Sequence, residues 1–179
     1  MNQDIKTVLF SEETLQTRVG EIAAQITADF KGNAPLVIGV LKGSFIFMAD
    51  LVRAIEFSCT LDFIAVSSYR SKTSSTGAVQ ILKDLTVDLT GRDIIIIEDI
   101  LDTGLTLSYL MDLFKARGAR SIRTCALLDK PSRRKTEVTL DYVGFEVPNE
   151  FVVGYGLDFD QQYRNLPYIG ILHEHVYQK

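Results

Sequence analysis

Ile94-Ile95-Ile96-Ile97-Glu98-Asp99-Ile100-Leu101-Asp102-Thr103-Gly104-Leu105-Thr106 is the stretch whose reading decides how the chain folds. Four β-branched residues in succession suit a strand buried on both faces, because a parallel sheet covered by helices removes the usual apolar–polar alternation. The run then meets acid. Glu98 and Asp99 stand where such a sheet opens at its carboxyl edge, the usual ligand position in open α/β folds. Asp102 to Thr106 read as a tight turn, after which Leu107, Leu110, Met111 and Phe114 resume at helical spacing. Backbone N–H groups at a helix N-terminus, with hydroxyls beside them, form an anion site. Strand, acids and cradle together point to a phosphorylated sugar with free hydroxyls. The plainer alternative is a strand-to-helix connection in which Thr103 or Thr106 caps the helix and the acids are solvated. Adjacent carboxylates at one strand end repel each other, and that cost favours the ligand site.

Upstream, Ser11 followed by Glu12 and Glu13 marks a helix start, and Leu15, Val19, Ile22 and Ile26 carry the helix to Phe30. Residues 36–40 form a short buried strand, then Leu41-Lys42-Gly43-Ser44 leads into a helix over 45–55. This second strand–loop–helix unit reads equally as a plain connection or as another anion site. Residues 61–68 are a strand, 69–77 a polar stretch suited to a solvated hairpin connection or a lid, and 79–82 apolar again. Beyond the central helix, which Gly118 ends, residues 121–128 form a strand that runs into Asp129-Lys130-Pro131. Lys130, Arg133, Arg134 and Lys135 make a basic run, ordinarily a solvated turn, although Lys130 stands at a strand's carboxyl end. Residues 142–145, 151–153 and 168–172 are short strands. His173 and His175 share a face if the last strand continues, but no third ligand accompanies them, so a metal is not indicated there.

A length of 179 residues with 46% hydrophobic and 23% charged residues describes one globular domain with a sizeable core. The net charge of −4 offers no electrostatic footprint for nucleic acid or an anionic membrane. There is no basic-then-apolar leader, and no apolar run nears the roughly 18 residues that span a bilayer, so a cytoplasmic protein is expected. Cys59 and Cys125 lie in apolar, strand-like surroundings without a CxxC spacing and read as reduced core residues.

Two nucleotide chemistries fall away. A nucleoside-triphosphate hydrolase needs Gly-Lys-Ser or Gly-Lys-Thr, and the chain has no Gly-Lys dipeptide; Gly154-Tyr155-Gly156 lacks the third glycine of a dinucleotide site. What residues 94–106 do resemble is the 5-phosphoribosyl-1-pyrophosphate (PRPP) motif of type I phosphoribosyltransferases. Leu41-Lys42-Gly43-Ser44, Ser68-Tyr69, Lys130, residues 143–148, residues 151–155, and Leu157-Asp158 with Arg164 are similar, in order, to the hypoxanthine-guanine branch of that family in its bacterial form.

The resemblance implies a Rossmann-like α/β fold, with a mostly parallel central sheet flanked by helices and a small hood from about residues 1–10 and 150–179. It implies purine salvage: PRPP and hypoxanthine or guanine give IMP or GMP and pyrophosphate, with Mg2+. Thr103, Gly104, Leu105 and Thr106 would hold the 5-phosphate, and Glu98 and Asp99 the ribose hydroxyls. Leu41, Lys42 and Gly43, joined by a cis peptide at Leu41-Lys42, would meet pyrophosphate with Arg164. Asp158, with Glu98 and Asp99, would serve the magnesium shell. On the purine side Phe151 would stack, Lys130 would donate to the 6-oxo group, and Val152 and Leu157 would complete the pocket. Asp102 would be the general base, and Ser68 and Tyr69 the lid. A homodimer or homotetramer is expected from the family. The rivals are a xanthine-preferring transferase and an RNA-binding regulator on the same fold; the acidic charge and the matched Lys130, Phe151 and Arg164 stand against the second.

Overall fold

The computed structural model describes residues 2–68 and 79–177. In chain order the elements are β1 (Ile5–Phe10), α1 (Glu12–Asp29), β2 (Leu36–Leu41), α2 (Phe45–Ala54), β3 (Thr60–Ser68), β4 (Val79–Lys83), β5 (Asp93–Leu101), α3 (Leu105–Ala116), β6 (Ser121–Asp129), β7 (Tyr142–Glu146), β8 (Val152–Val153), β9 (Ile169–Leu172) and α4 (Glu174–Tyr177). Ser11 caps α1 as expected, its hydroxyl accepting from the Thr14 amide at 3.2 Å, with Glu12 and Glu13 in the turn where the helix dipole favours acid.

Six strands form the main sheet in the order β4-β3-β2-β5-β6-β7, parallel except for β4 against β3. The chain lays β3 on one side of β2 and later returns to place β5 on the other, so the strand order reverses between β2 and β5. Ligand crevices open at the carboxyl ends of strands at such a reversal. The register shows where this one opens: β2 accompanies β5 only to Gly39 opposite Ile97, while β6 stays paired through Leu101 opposite Asp129. Glu98 and Asp99 therefore lie at a fork, and β5 runs past them to Leu101, held from one side. From the sequence alone the strand ends at the acids, because its extension is set by pairing with β6, which forms only once α3 has folded back over the sheet.

Successive isoleucines face opposite layers. Ile94 and Ile96 pack with Leu107, Leu110 and Phe114 of α3, and Ile95 and Ile97 with Leu15 and Ile22 of α1 and Phe47 of α2; all four isoleucines are fully buried. This alternation across a doubly covered sheet is the mixed α/β architecture the isoleucine run implied. Segments near both ends of the chain meet in a second, antiparallel sheet ordered β1-β9-β8. It has its own small core of Val153, Tyr163, Leu166 and Leu172.

Three local expectations change. The basic run is not merely a solvated turn: residues 131–133 make one 3-10 turn, and the Lys135 and Thr136 amides both donate to the Thr103 carbonyl, at 2.9 and 3.1 Å. β9 stops at Leu172, so His173 and His175 share no strand face; their rings are tilted together 5.3 Å apart at the start of α4. The helix after β5 begins at Leu105 with Gly104, whose φ is +84°, at its N-cap position, and the expected threonine contribution reduces to the Thr103 hydroxyl, which accepts from the Leu105 amide at 3.4 Å. Tyr69 and the rest of the expected lid lie outside the described residues, as does the side chain of Ser68. Cys125 is buried and Cys59 part-buried, both are free, and burial pushes both thiols up. No helix among the described residues is long and apolar enough to cross a membrane.

Candidate active site

The fork between β2 and β5 holds a cleft of about 440 Å³. One wall is Leu41, Lys42 and Gly43 at the end of β2; the floor is Glu98, Asp99, Asp102, Thr103, Gly104 and Thr106; Asp158 and Arg164 close it from the loop between β8 and β9. The Leu41-Lys42 peptide is cis. Leu105, also expected in the phosphate loop, begins α3 and does not line the cleft; its amide faces the Thr103 hydroxyl at 3.4 Å.

The loop over residues 102–106 is shaped from behind. With the Thr103 carbonyl turned toward Lys135 and Thr136, the N–H of the same peptide, on Gly104, points the opposite way, into the cleft. A Cβ on Gly104 would come within 2.3 Å of the Thr136 carbonyl oxygen, so the close packing of this support requires glycine as much as the positive φ does.

Charge in the cleft is unbalanced among the protein's own groups. Glu98 is 7% exposed, and burial, then the neighbouring Asp99, pushes its carboxyl well above the ordinary range. Burial raises Asp99 to about 6, Arg164 opposing and Asp158 adding to the rise. Across the cleft Arg164 pairs with Asp158 at 2.8 Å and donates to the Gly156 carbonyl at 2.7 Å. Lys42 Nζ and Arg164 Nη2 both donate to Gln161 Oε1, at 3.2 and 3.3 Å. Two cations from different parts of the chain thus converge on one neutral oxygen.

A second cavity, about 400 Å³, adjoins the first and is lined by Lys130, Arg133, Phe151, Val152 and Leu157. Asp99, Ile100, Asp102 and Asp158 belong to both. Lys130 is 8% exposed; burial lowers its ammonium, Asp102 opposes that, and its Nζ donates to the Glu150 carbonyl at 2.6 Å. Asp102 Oδ1 is buried without a hydrogen bond and faces Arg133 Nε at 3.2 Å.

The fold thus brings together Asp102 with the residues expected at the phosphate, the pyrophosphate and the purine, apart from Leu105; the expected lid lies outside the described residues. Arg133 and Gln161 were missed. Arg133 was hidden in a basic run that reads as a solvated face, and Gln161 carried no signal, being a neutral side chain on a loop. Among the described residues no three His, Cys, Asp or Glu side chains converge as a metal cage. The cleft does hold hard oxygen donors in Asp99 and Asp158, and the like-charge crowding at Asp99 fits a divalent cation that also binds phosphate oxygens.

The family model for the phosphoribosyl transferase domain matches residues 9–160. The hypoxanthine-guanine phosphoribosyltransferase of Bacillus subtilis is 55% identical over 178 residues, covering 99% of this chain and 99% of that protein. The bifunctional protein TilS/HprT of Listeria monocytogenes is 52% identical over 179 residues, covering 100% of this chain and 28% of that longer protein. A solved hypoxanthine phosphoribosyltransferase from Staphylococcus aureus superposes with a TM-score of 0.96 at 48% identity, covering 100% of this chain and 97% of that chain.

Proposed function

The chain belongs to the phosphoribosyl transferase family, and on that footing we propose that it is a purine-salvage enzyme transferring the 5-phosphoribosyl group of PRPP to hypoxanthine or guanine. The products are IMP or GMP and pyrophosphate. The observation that carries the reading is the wall shared by the two cavities. A reaction that joins a sugar carbon to a base nitrogen needs two pockets meeting at one place, with a proton acceptor there. Asp102 stands at that place.

In this reading the Gly104 amide and the Thr103 and Thr106 hydroxyls receive the 5-phosphate, donors already oriented before the ligand arrives. Glu98 and Asp99 accept from the ribose hydroxyls. Lys42 and Arg164 take the pyrophosphate, exchanging the Gln161 oxygen for an anionic one. Asp158 and Asp99 would hold magnesium, which supplies positive charge against the leaving pyrophosphate. The purine lies on Phe151 with its 6-oxo group toward Lys130. An ammonium has three donors and no acceptor, so with one N–H on Glu150 it still favours an oxo group over the amino group of adenine. Asp102 removes the imidazole proton as the ribose carbon, cationic in character, passes from pyrophosphate to base. Free cysteines suit a reducing compartment, and the cytoplasm is the proposed location, with a homodimer or homotetramer as the assembly.

Steady-state rates with hypoxanthine, guanine, xanthine and adenine at saturating PRPP test the reading. Turnover is expected with the first two; turnover with none, or with adenine foremost, would overturn it. Asp102→Asn should retain PRPP binding and lose about 10²–10⁴ in turnover, the usual worth of a positioned base. Unchanged turnover would remove Asp102 from that role.

A further inference from the structure

We infer that Tyr177 is a positioning residue for the purine, backing Phe151 so that its free face is held in the plane on which the base stacks. The inference rests on the purine-transfer reading. Phe151 lines the second cavity, and Tyr177 does not. Yet the two rings are stacked, with centroids 5.0 Å apart and planes 26° from parallel. Phe159 and Phe151 form a T-shaped pair, with centroids 5.4 Å apart and planes at 87°. Tyr177 thus covers one face of the Phe151 ring, while Phe151 itself lines the cavity from which Tyr177 is absent.

The contact follows from how the second sheet is built. Phe151 directly precedes β8, and its carbonyl accepts from the Leu172 amide at 2.9 Å at the end of β9. The chain then turns at once: His173 donates its amide to Asp4, and the Val176 amide closes one helical turn on the His173 carbonyl. That turn carries Tyr177 back over the ring of Phe151, beside Val176 in the same small apolar cluster. An unbacked phenylalanine at a cavity wall would keep rotamer freedom that it must lose when a base stacks on it. The backed ring has lost it beforehand.

Two substitutions separate orientation from mere bulk. Tyr177→Leu keeps an apolar side chain but removes the flat face; Tyr177→Phe keeps the face and removes the hydroxyl. Tyr177→Leu should raise KM for hypoxanthine by about three- to tenfold, the worth of one aromatic pair, with kcat and KM for PRPP unchanged. Tyr177→Phe should behave as wild type, and melting temperatures taken alongside should show both variants folded. A wild-type KM for hypoxanthine in Tyr177→Leu would overturn the inference, as would a KM for PRPP rising in step, or Tyr177→Phe behaving like Tyr177→Leu. Failure of the wild-type enzyme to use any 6-oxopurine would instead sink the transfer reading, before any variant is compared.

Discussion

Gly43 shows how closely the cleft is fitted to its acids. A Cβ built there would stand 1.5 Å from Asp99 Oδ2, so no side chain can occupy the position unless the carboxylate moves. Its φ is not in the left-handed region, so alanine imposes no backbone strain and the variant should fold. Gly43→Ala should therefore leave the melting temperature near wild type. It should lower kcat/KM for PRPP by about 100-fold, the scale of a 1 Å misplacement of a reacting group. Steady-state kinetics with PRPP varied, beside a thermal melt, checks both halves; wild-type kinetics would show that Asp99 has no part in binding PRPP. At this scale the acids and the loop after them were readable from the chain, because chemistry-bearing residues stood together in sequence. Arg133 opposite Asp102, and Gln161 between Lys42 and Arg164, were not readable. Each gains its meaning from a residue about thirty or more positions away, or from a loop whose conformation no local pattern announces.

Strand β5 is anchored at the end opposite the cleft by Asp93. The Arg120 guanidinium holds that carboxyl down at about 2, burial opposing, with the Ser121 hydroxyl and the Asn33 amide also donating to it. These partners tie the start of β5 to the start of β6 and to the turn before β2. A carboxylate depressed on folding contributes stability above its unfolded pKa of about 4 and loses that contribution as pH falls through the folded value. Asp93→Asn should cost about 1–2 kcal/mol near neutral pH, the shift being discounted because Arg120 is half exposed. Urea titrations should show the deficit narrowing between about pH 4 and about pH 2; a deficit constant over that window would mean that packing, not the ion pair, is responsible. The strand itself was legible because four isoleucines can be satisfied only by two covered faces. Its last residues were not, since pairing with β6 and desertion by β2 are decided by register between distant segments.

For the whole molecule the cleft is a meeting of three parts: the loop after β2, the loop after β5, and the segment carrying Asp158 and Arg164 beside the second sheet. A ligand that touches all three should cross-link them and raise global stability by an amount set by its concentration relative to its dissociation constant. PRPP with magnesium at about 100 times its dissociation constant is worth about 2.7 kcal/mol. For a chain of 179 residues that corresponds to a melting temperature higher by about 5–10 °C. Without a cation, the triphosphate-like charge of PRPP would enter a cleft already holding Glu98, Asp99 and Asp158. Chelation of magnesium should therefore remove most of the increment. Arg164→Ala should shrink it too, while leaving the unliganded melt close to wild type, because Arg164 pairs with Asp158 and loop groups and not with either main core. Calorimetry of the free protein, the PRPP–magnesium mixture and the chelated mixture decides the matter. An increment that survives chelation would mean that the carboxylates meet PRPP without a metal between them, and the proposed magnesium-holding roles of Asp99 and Asp158 would have to be given up.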